Sequence, residues 1–228
     1  TKVVDLEYLK EIWIEKAKIK LNSSKLLNKA EEIDKKYSSN IKSRVKKARK
    51  LCEITSKVGP VWNAYGGHYF SPKQALVLDH LLNTLPKQTK YRDICLAAVI
   101  VAASRAAAAP GHTAQPFQPT AGAGKFIEIA WRVDIFKSCE TALKEITPLH
   151  AKVKGRAIVS DAEKLIPKLK KGDLVLLDPP YSGVQYSRFY HVLETIARGH
   201  CGQVTGIGRY PSISERPQSE FSNAGESY

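Results

Sequence analysis

The residues with the clearest chemical potential form the run Leu174-Val-Leu-Leu-Asp178-Pro179-Pro180-Tyr181. Its apolar half, set between Lys170-Lys171-Gly172-Asp173 and two prolines, predicts a short strand buried on both faces of a sheet. The carboxyl end of such a strand is where open α/β sheets bind their ligands. Each proline disfavours helical geometry for the residue before it, so Asp178 and Pro179 are expected to be extended. The stiff turn would then hold the Asp178 carboxylate and the Pro179 carbonyl as two fixed acceptors. An exocyclic amine on a nucleobase carries two N–H bonds, and two such acceptors can take both. Its nitrogen lone pair then becomes more available to attack an electrophilic methyl group. Tyr181 offers a flat face for the base, worth roughly 1–3 kcal/mol of stacking. That offsets part of the cost, on the order of a few kcal/mol, of drawing a base out of a duplex.

The Asp-Pro-Pro-Tyr tetrad resembles that of amino-group DNA methyltransferases, which act on adenine N6 or cytosine N4. The longer run from Asp178 to Ala197, Asp-Pro-Pro-Tyr-Ser-Gly-Val-Gln-Tyr-Ser-Arg-Phe-Tyr-His-Val-Leu-Glu-Thr-Ile-Ala, resembles the Dam-like class of N6-adenine enzymes from restriction–modification and phage-defence systems. Trp62 to Phe70 and the loop from Gly111 to Thr120 look like the same class, so the resemblance runs from about residue 58 to the end. It implies an α/β fold: part of a Rossmann-like S-adenosylmethionine-dependent methyltransferase sheet with a large helical region, to which the charge and periodicity of the first residues add a basic helical N-terminal arm. Residues 1–57 would be the arm, 58–150 a helical and DNA-recognition region, and 151–228 the catalytic α/β portion. The resemblance assigns catalysis to Asp178, Pro179, Pro180 and Tyr181. It gives Asp161 a contact with the adenine part of S-adenosylmethionine, with Ala162 standing where the class usually has an aromatic residue. On its own residues, Asp161 could equally cap a helix over Ala162–Leu169.

Charge agrees with a nucleic-acid partner. The net charge is +14 and the pI ≈ 9.6, which suits an anionic ligand. No apolar run approaches the length of a membrane span, and the first residues lack a secretion signal. The expected location is therefore the bacterial cytoplasm, near the nucleoid. Cys52, Cys95, Cys139 and Cys201 contain no Cys-x-x-Cys pair, and the six histidines no metal-spaced pair, so neither a disulfide framework nor a zinc site is expected. The chain has no methionine, which suggests part of a longer gene product.

Residues 1–58 hold 16 Lys/Arg against 8 Asp/Glu, concentrated around Lys46 and Lys47. Apolar stripes at Leu6, Leu9 and Trp13, and from Leu26 to Cys52, predict helices here. Their basic face is either simply solvated or an arm on DNA phosphates. Gly59-Pro60 breaks the pattern, and the aromatic, glycine-rich Val61–Phe70 reads as a loop or short strand. Ser71 and Pro72 open a helix. Tyr91–Ala109 is apolar enough to be expected buried all round, and Pro110 ends it.

The following loop, to Lys125, carries Gln115 and Gln118, suited to base edges, with Arg105 and Lys125 at its flanks. It reads either as a DNA-contacting loop or as an ordinary surface connection. Phe126 to Leu149 predicts one further helix and Arg156–Ser160 a short strand. Beyond the tetrad, Tyr186 could line a base pocket and Arg188 meet a phosphate, while His191 has no neighbour that makes it a base. The tail from Gly202 reads as a loop in which Arg209 and Arg216 could touch substrate.

Methyltransferases of this class also need a glycine-rich turn, Asp-x-Phe-x-Gly-x-Gly-like, to seat the amino-acid end of the cofactor. No glycine pair here follows a first strand. A missing segment or a second polypeptide would supply it. The partners expected are thus double-stranded DNA with a flipped adenine, the methyl donor and that segment. The alternatives are a non-enzymatic DNA-binding or specificity subunit, and methylation of cytosine N4 or RNA.

Overall fold

A computed structural model describes residues 4–35, 40–55, 57–149, 153, 155–160, 163–178 and 186–216. They are mostly helical. The chain begins with α1 (Leu6–Leu9), capped by the Asp5 carboxylate, and runs through a π-helical turn (Lys10–Glu15) into α2 (Lys16–Asn22). Then come α3 (Leu27–Lys35), α4 (Ile41–Ile54, capped by Asn40), α5 (Pro60–Tyr65) and α6 (Pro72–Asn83). The long α7 (Thr89–Ala106) is followed by α8 (Gly124–Trp131) and α9 (Ile135–Ile146). After the tetrad comes α10 (Tyr186–Arg198), and then a two-stranded antiparallel hairpin, β1 (Val204–Thr205) with β2 (Tyr210–Pro211).

Local chemistry explains most boundaries. Ser71 and Gln74 form a reciprocal capping box with Pro72 at the first helical position, which satisfies two orphan N–H groups at once. The region expected as one helix from Phe126 to Leu149 is two, because Asp134 accepts from the Lys137 N–H and so starts α9 afresh. Val61–Phe70, expected as a loop or short strand, is helical over its first half. The signal lay outside it. Gly59 has no capping side chain, and the N–H groups of Val61 and Trp62 bond instead to the carboxylate of Asp79 on α6, at 3.0 and 2.8 Å.

The core gathers Leu9, Trp13, Ile14 and Ala17 with Trp62, Tyr65, Tyr69, Phe70 and the buried faces of α6, α7 and α9. The N-terminal helices thus pack into the same core as the rest, and the Trp13 indole N–H donates to the Leu81 carbonyl at 2.9 Å. In α7 the fully buried stripe is Cys95, Ala98, Val99, Ala102, Ala103 and Ala106. Burial all round does not hold: Ile94, Ile100 and Val101 are only half-buried. Small residues on that stripe let α9 approach closely with Cys139, Ala142 and Leu143.

The expected buried strands are corrected. Leu174, Val175, Leu176 and Leu177 are 99, 47, 91 and 80% exposed, extended but in no ladder. Arg156–Ser160 is likewise exposed and outside any strand. An apolar run is a buried strand only where neighbouring strands flank it, and among the described residues none does. Of the alternative helix over Ala162–Leu169, the described residues form a 3-10 turn at Ile166–Lys168, and Ala162 lies outside them. The tail expected as loop contains the β1–β2 hairpin.

Candidate catalytic loop and DNA-facing surface

Asp178 is exposed at the end of the extended segment. Pro179, Pro180 and Tyr181, and the cofactor candidates Asp161 and Ala162, lie outside the described residues. Eight residues after Asp178, α10 packs its inner face on the core. His191, Val192, Thr195 and Ile196 face the core. The Tyr65 hydroxyl lies 2.9 Å from the Thr195 hydroxyl, and His191 packs edge-on against both Tyr65 and Tyr69. Burial pushes both phenols well above the usual tyrosine range and holds His191 neutral, down to about 4. Its ring nitrogens lie 3.0 and 2.9 Å from the carbonyls of Arg188 and Gly208. His191 is a packed tie between α10 and the hairpin.

The same helix holds the loop that carries Gln115 and Gln118. Thr113, 3% exposed, donates its N–H to the Phe189 carbonyl at 2.8 Å and its hydroxyl to the same oxygen. Its own carbonyl accepts from the Tyr69 hydroxyl at 2.8 Å. Tyr210 of β2 donates to the Ala114 carbonyl, and His112 lies edge-on to Phe189 at 4.8 Å. Sequence reading missed Tyr69, Thr113 and Tyr210. No spacing rule marks them, because each acts across at least 44 residues of chain.

The remaining candidates divide. Gln115 is exposed; Gln118 is half-buried, its amide donating to the Pro116 carbonyl. Tyr186 and Tyr190 stack in parallel at 5.8 Å on the outer face of α10, and Arg188 lies over the Tyr210 ring. Lys125 lies over Phe126, itself stacked on Phe117 of the loop at 5.2 Å, so α8 and the loop share one surface. Gly124 packs so tightly on Ile41 that α4 adjoins this surface. Lys46 and Lys47 project from the exposed side of α4, opposite buried Val45 and Ala48. Arg105 is matched differently, by Glu145 of α9 at 2.7 Å.

Both glycine pairs weighed for a cofactor turn have structural uses. Gly66-Gly67 is a packed turn, where a Cβ on Gly67 would lie 2.7 Å from the Arg49 backbone nitrogen. Gly206 and Gly208 belong to the hairpin turn between β1 and β2.

The segment that holds Asp178 and α10 is similar to known proteins. Residues 128–224 match the family model of the D12 class N6 adenine-specific DNA methyltransferase. This part of the chain is similar to the D12 class. The matched segment starts within α8 and takes in α9, Asp178, α10 and the hairpin, while the Gln115–Gln118 loop precedes it. The chain is similar to modification methylase LlaI of Lactococcus lactis subsp. lactis, 33% identical over 102 residues, covering 41% of this chain and 16% of that protein. Modification methylase StsI of Streptococcus sanguinis is 35% identical over 65 residues, 28% of this chain and 10% of StsI. The type II methyltransferase M.FokI of Planomicrobium okeanokoites is 57% identical over 37 residues, 16% of this chain and 6% of its own length. The matches thus span less than a fifth of each of these relatives. No solved structure matches the chain. No helix among the described residues is long and apolar enough to cross a membrane.

Proposed function

We propose that this chain is the catalytic and DNA-facing part of a site-specific N6-adenine DNA methyltransferase of a restriction–modification or phage-defence system, acting in the bacterial cytoplasm. The observation that carries the reading is the D12-class match spanning Asp178 and α10, the helix on which Thr113 fastens the glutamine loop. Asp178 and the Pro179 carbonyl take the two N–H bonds of an adenine amine, and Tyr181 stacks on the extruded base. S-adenosylmethionine supplies the methyl group. Transfer to a neutral amine needs no strong general base, so positioning carries most of the rate. The glutamine loop, Lys125, Tyr186 and Arg188 face the duplex, and Lys46 and Lys47 meet phosphates.

The exposed Leu174–Leu177 supports a further part of this proposal. A leucine-rich strand ending in the tetrad belongs inside a Rossmann-like sheet, so its neighbours and the glycine turn that seats the donor come from another segment or polypeptide. The rival reading is a non-enzymatic DNA-binding subunit, which the net charge of +14 would suit as well. Labelled methyl transfer from S-adenosylmethionine to mixed-sequence duplex, followed by nucleoside analysis, separates the two. Label in N6-methyladenine with the natural full-length protein supports the enzyme. Label in N4-methylcytosine overturns the choice of base, and no label overturns the enzyme reading.

A further inference from the structure

Two arginines far apart in sequence converge on one short stretch of backbone. Arg49 of α4 donates its Nε–H to the Gly67 carbonyl at 3.1 Å. Arg209, in the hairpin turn, donates its Nε–H to the Ala64 carbonyl at 2.8 Å and a terminal N–H to the Asn63 carbonyl at 3.3 Å. These are carbonyls at and just beyond the end of α5, where cations are favoured. Capping alone does not account for the pair. Arg209 is close enough to help push Arg49 below its ordinary range, after burial, which is the larger cause. Each guanidinium carries five N–H donors, and the bonds above use one of Arg49 and two of Arg209. Among the described residues, neither forms an ion pair with a carboxylate. The nearest acid acting on Arg49 is Glu53, one turn along α4 and exposed.

The surroundings point the same way. His68 lies near enough to feel both and is held neutral by burial and by both arginines, so it offers neutral ring nitrogens but no competing charge. Arg209 adopts a left-handed backbone, φ 55°, a conformation that costs a side-chain-bearing residue energy and recurs at binding sites. Lys46 and Lys50 are exposed on the same helix as Arg49. Paired guanidinium forks, half-buried and without a carboxylate, match the geometry and charge of an oxyanion.

We propose that Arg49 and Arg209, beside His68, form an oxyanion site that clamps one phosphate of the DNA backbone. The proposal rests on the DNA-binding reading above and deepens it: the phosphate held here fixes the duplex relative to α5 and the hairpin, which is itself tied to the glutamine loop through Tyr210.

The test is duplex binding by this chain as a function of salt, for the parent, Arg49→Gln, Arg209→Gln and the double variant, with Lys87→Gln as control. Loss of one clamped phosphate lowers the slope of log K against log salt by about 0.9. The double variant should lose no more than either single one, because both arginines serve the same phosphate. Arg49→Lys, which keeps charge but not the fork, should keep the slope and weaken binding. Thermal unfolding of each variant separates misfolding from lost contact. An unchanged slope in a glutamine variant that folds and still binds duplex overturns the proposal. Weaker binding of S-adenosylmethionine, with the slope unchanged, reassigns the site to the donor's carboxylate and also overturns it. If the parent binds no duplex, the DNA reading itself fails. Stabilisation by inorganic phosphate at constant ionic strength then decides: present in the parent and lost in the double variant, it keeps the oxyanion site, and absent, it removes that too.

Discussion

The hydroxyl of Tyr69, fully buried, donates to the Thr113 carbonyl at 2.8 Å while lying 2.9 Å from the Gly208 carbonyl. One proton thus serves the glutamine loop and the hairpin together. Tyr69→Phe would leave the Thr113 carbonyl without this donor in an apolar setting, costing about 1–3 kcal/mol, while the Gly208 carbonyl keeps the His191 ring 2.9 Å away. Denaturant unfolding should show that loss, and amide exchange should quicken at Thr113, whose N–H is tied to Phe189. An unchanged unfolding midpoint would show that the hydroxyl is dispensable.

Asp79 acts as a cap supplied by another helix. Asp79→Ala removes the acceptor for the Val61 and Trp62 N–H groups, with an expected loss on the order of 1–3 kcal/mol.

The same residue makes stability depend on pH. Burial pushes Asp79 up to about 7, against the pull of its two N–H donors. Between the ordinary carboxylate value and pH 7, the folded state holds a proton that the unfolded state has released. The parent should therefore gain stability relative to Asp79→Ala as pH falls through that window, by at most about 1.4 kcal/mol per pH unit. His68 and His191, held down to about 3 and about 4, have the opposite sign and weaken the fold as pH drops below about 6.5. Unfolding at several pH values, compared between parent and variant, isolates Asp79. A flat difference would contradict its raised value.

Gly67 and Gly111 both have left-handed backbones, φ 73° and 78°, and so separate strain from space. A Cβ at Gly111 meets nothing within 4 Å, whereas one at Gly67 meets the Ala48–Arg49 backbone at 2.7–2.9 Å. Gly111→Ala should cost roughly 1–2 kcal/mol from the backbone alone, and Gly67→Ala clearly more. Equal losses would mean that α4 yields freely.

Much of the helical fold was legible because its signals are local. Ser71-Pro72 announced α6, and the stripe at Leu9 and Trp13 announced a buried face. Where the fold departed from the reading, the deciding contact came from elsewhere in the chain. Asp79 turns Pro60–Tyr65 into a helix from 17 or 18 residues away, and no window around Trp62 contains it. Leu174–Leu177 had the composition of a central strand, but that role depends on neighbours which the described residues do not supply. In the candidate site, Asp178 and α10 stood out because tetrad chemistry is contiguous. Thr113, Tyr69 and the Arg49–Arg209 pair did not, since their meaning lies in contacts across 18 to 146 residues.

The exposed lysines of α4 provide a test with little structural cost. Lys46→Gln with Lys47→Gln should leave folding stability within about 0.5 kcal/mol. If both meet phosphates, the salt slope of duplex binding falls by about 1.8; an unaltered slope makes this face merely solvated.

The most direct test of the central claim compares Asp178→Ala with the parent in the natural full-length protein, reading N6-methyladenine formation and duplex affinity together. The account predicts that methyl transfer is abolished while affinity stays within a few-fold, because Asp178 acts on the amine and not on the backbone. Methylation that survives the substitution, or affinity that collapses with it, would contradict the assignment of Asp178 as the acceptor that holds the adenine amine.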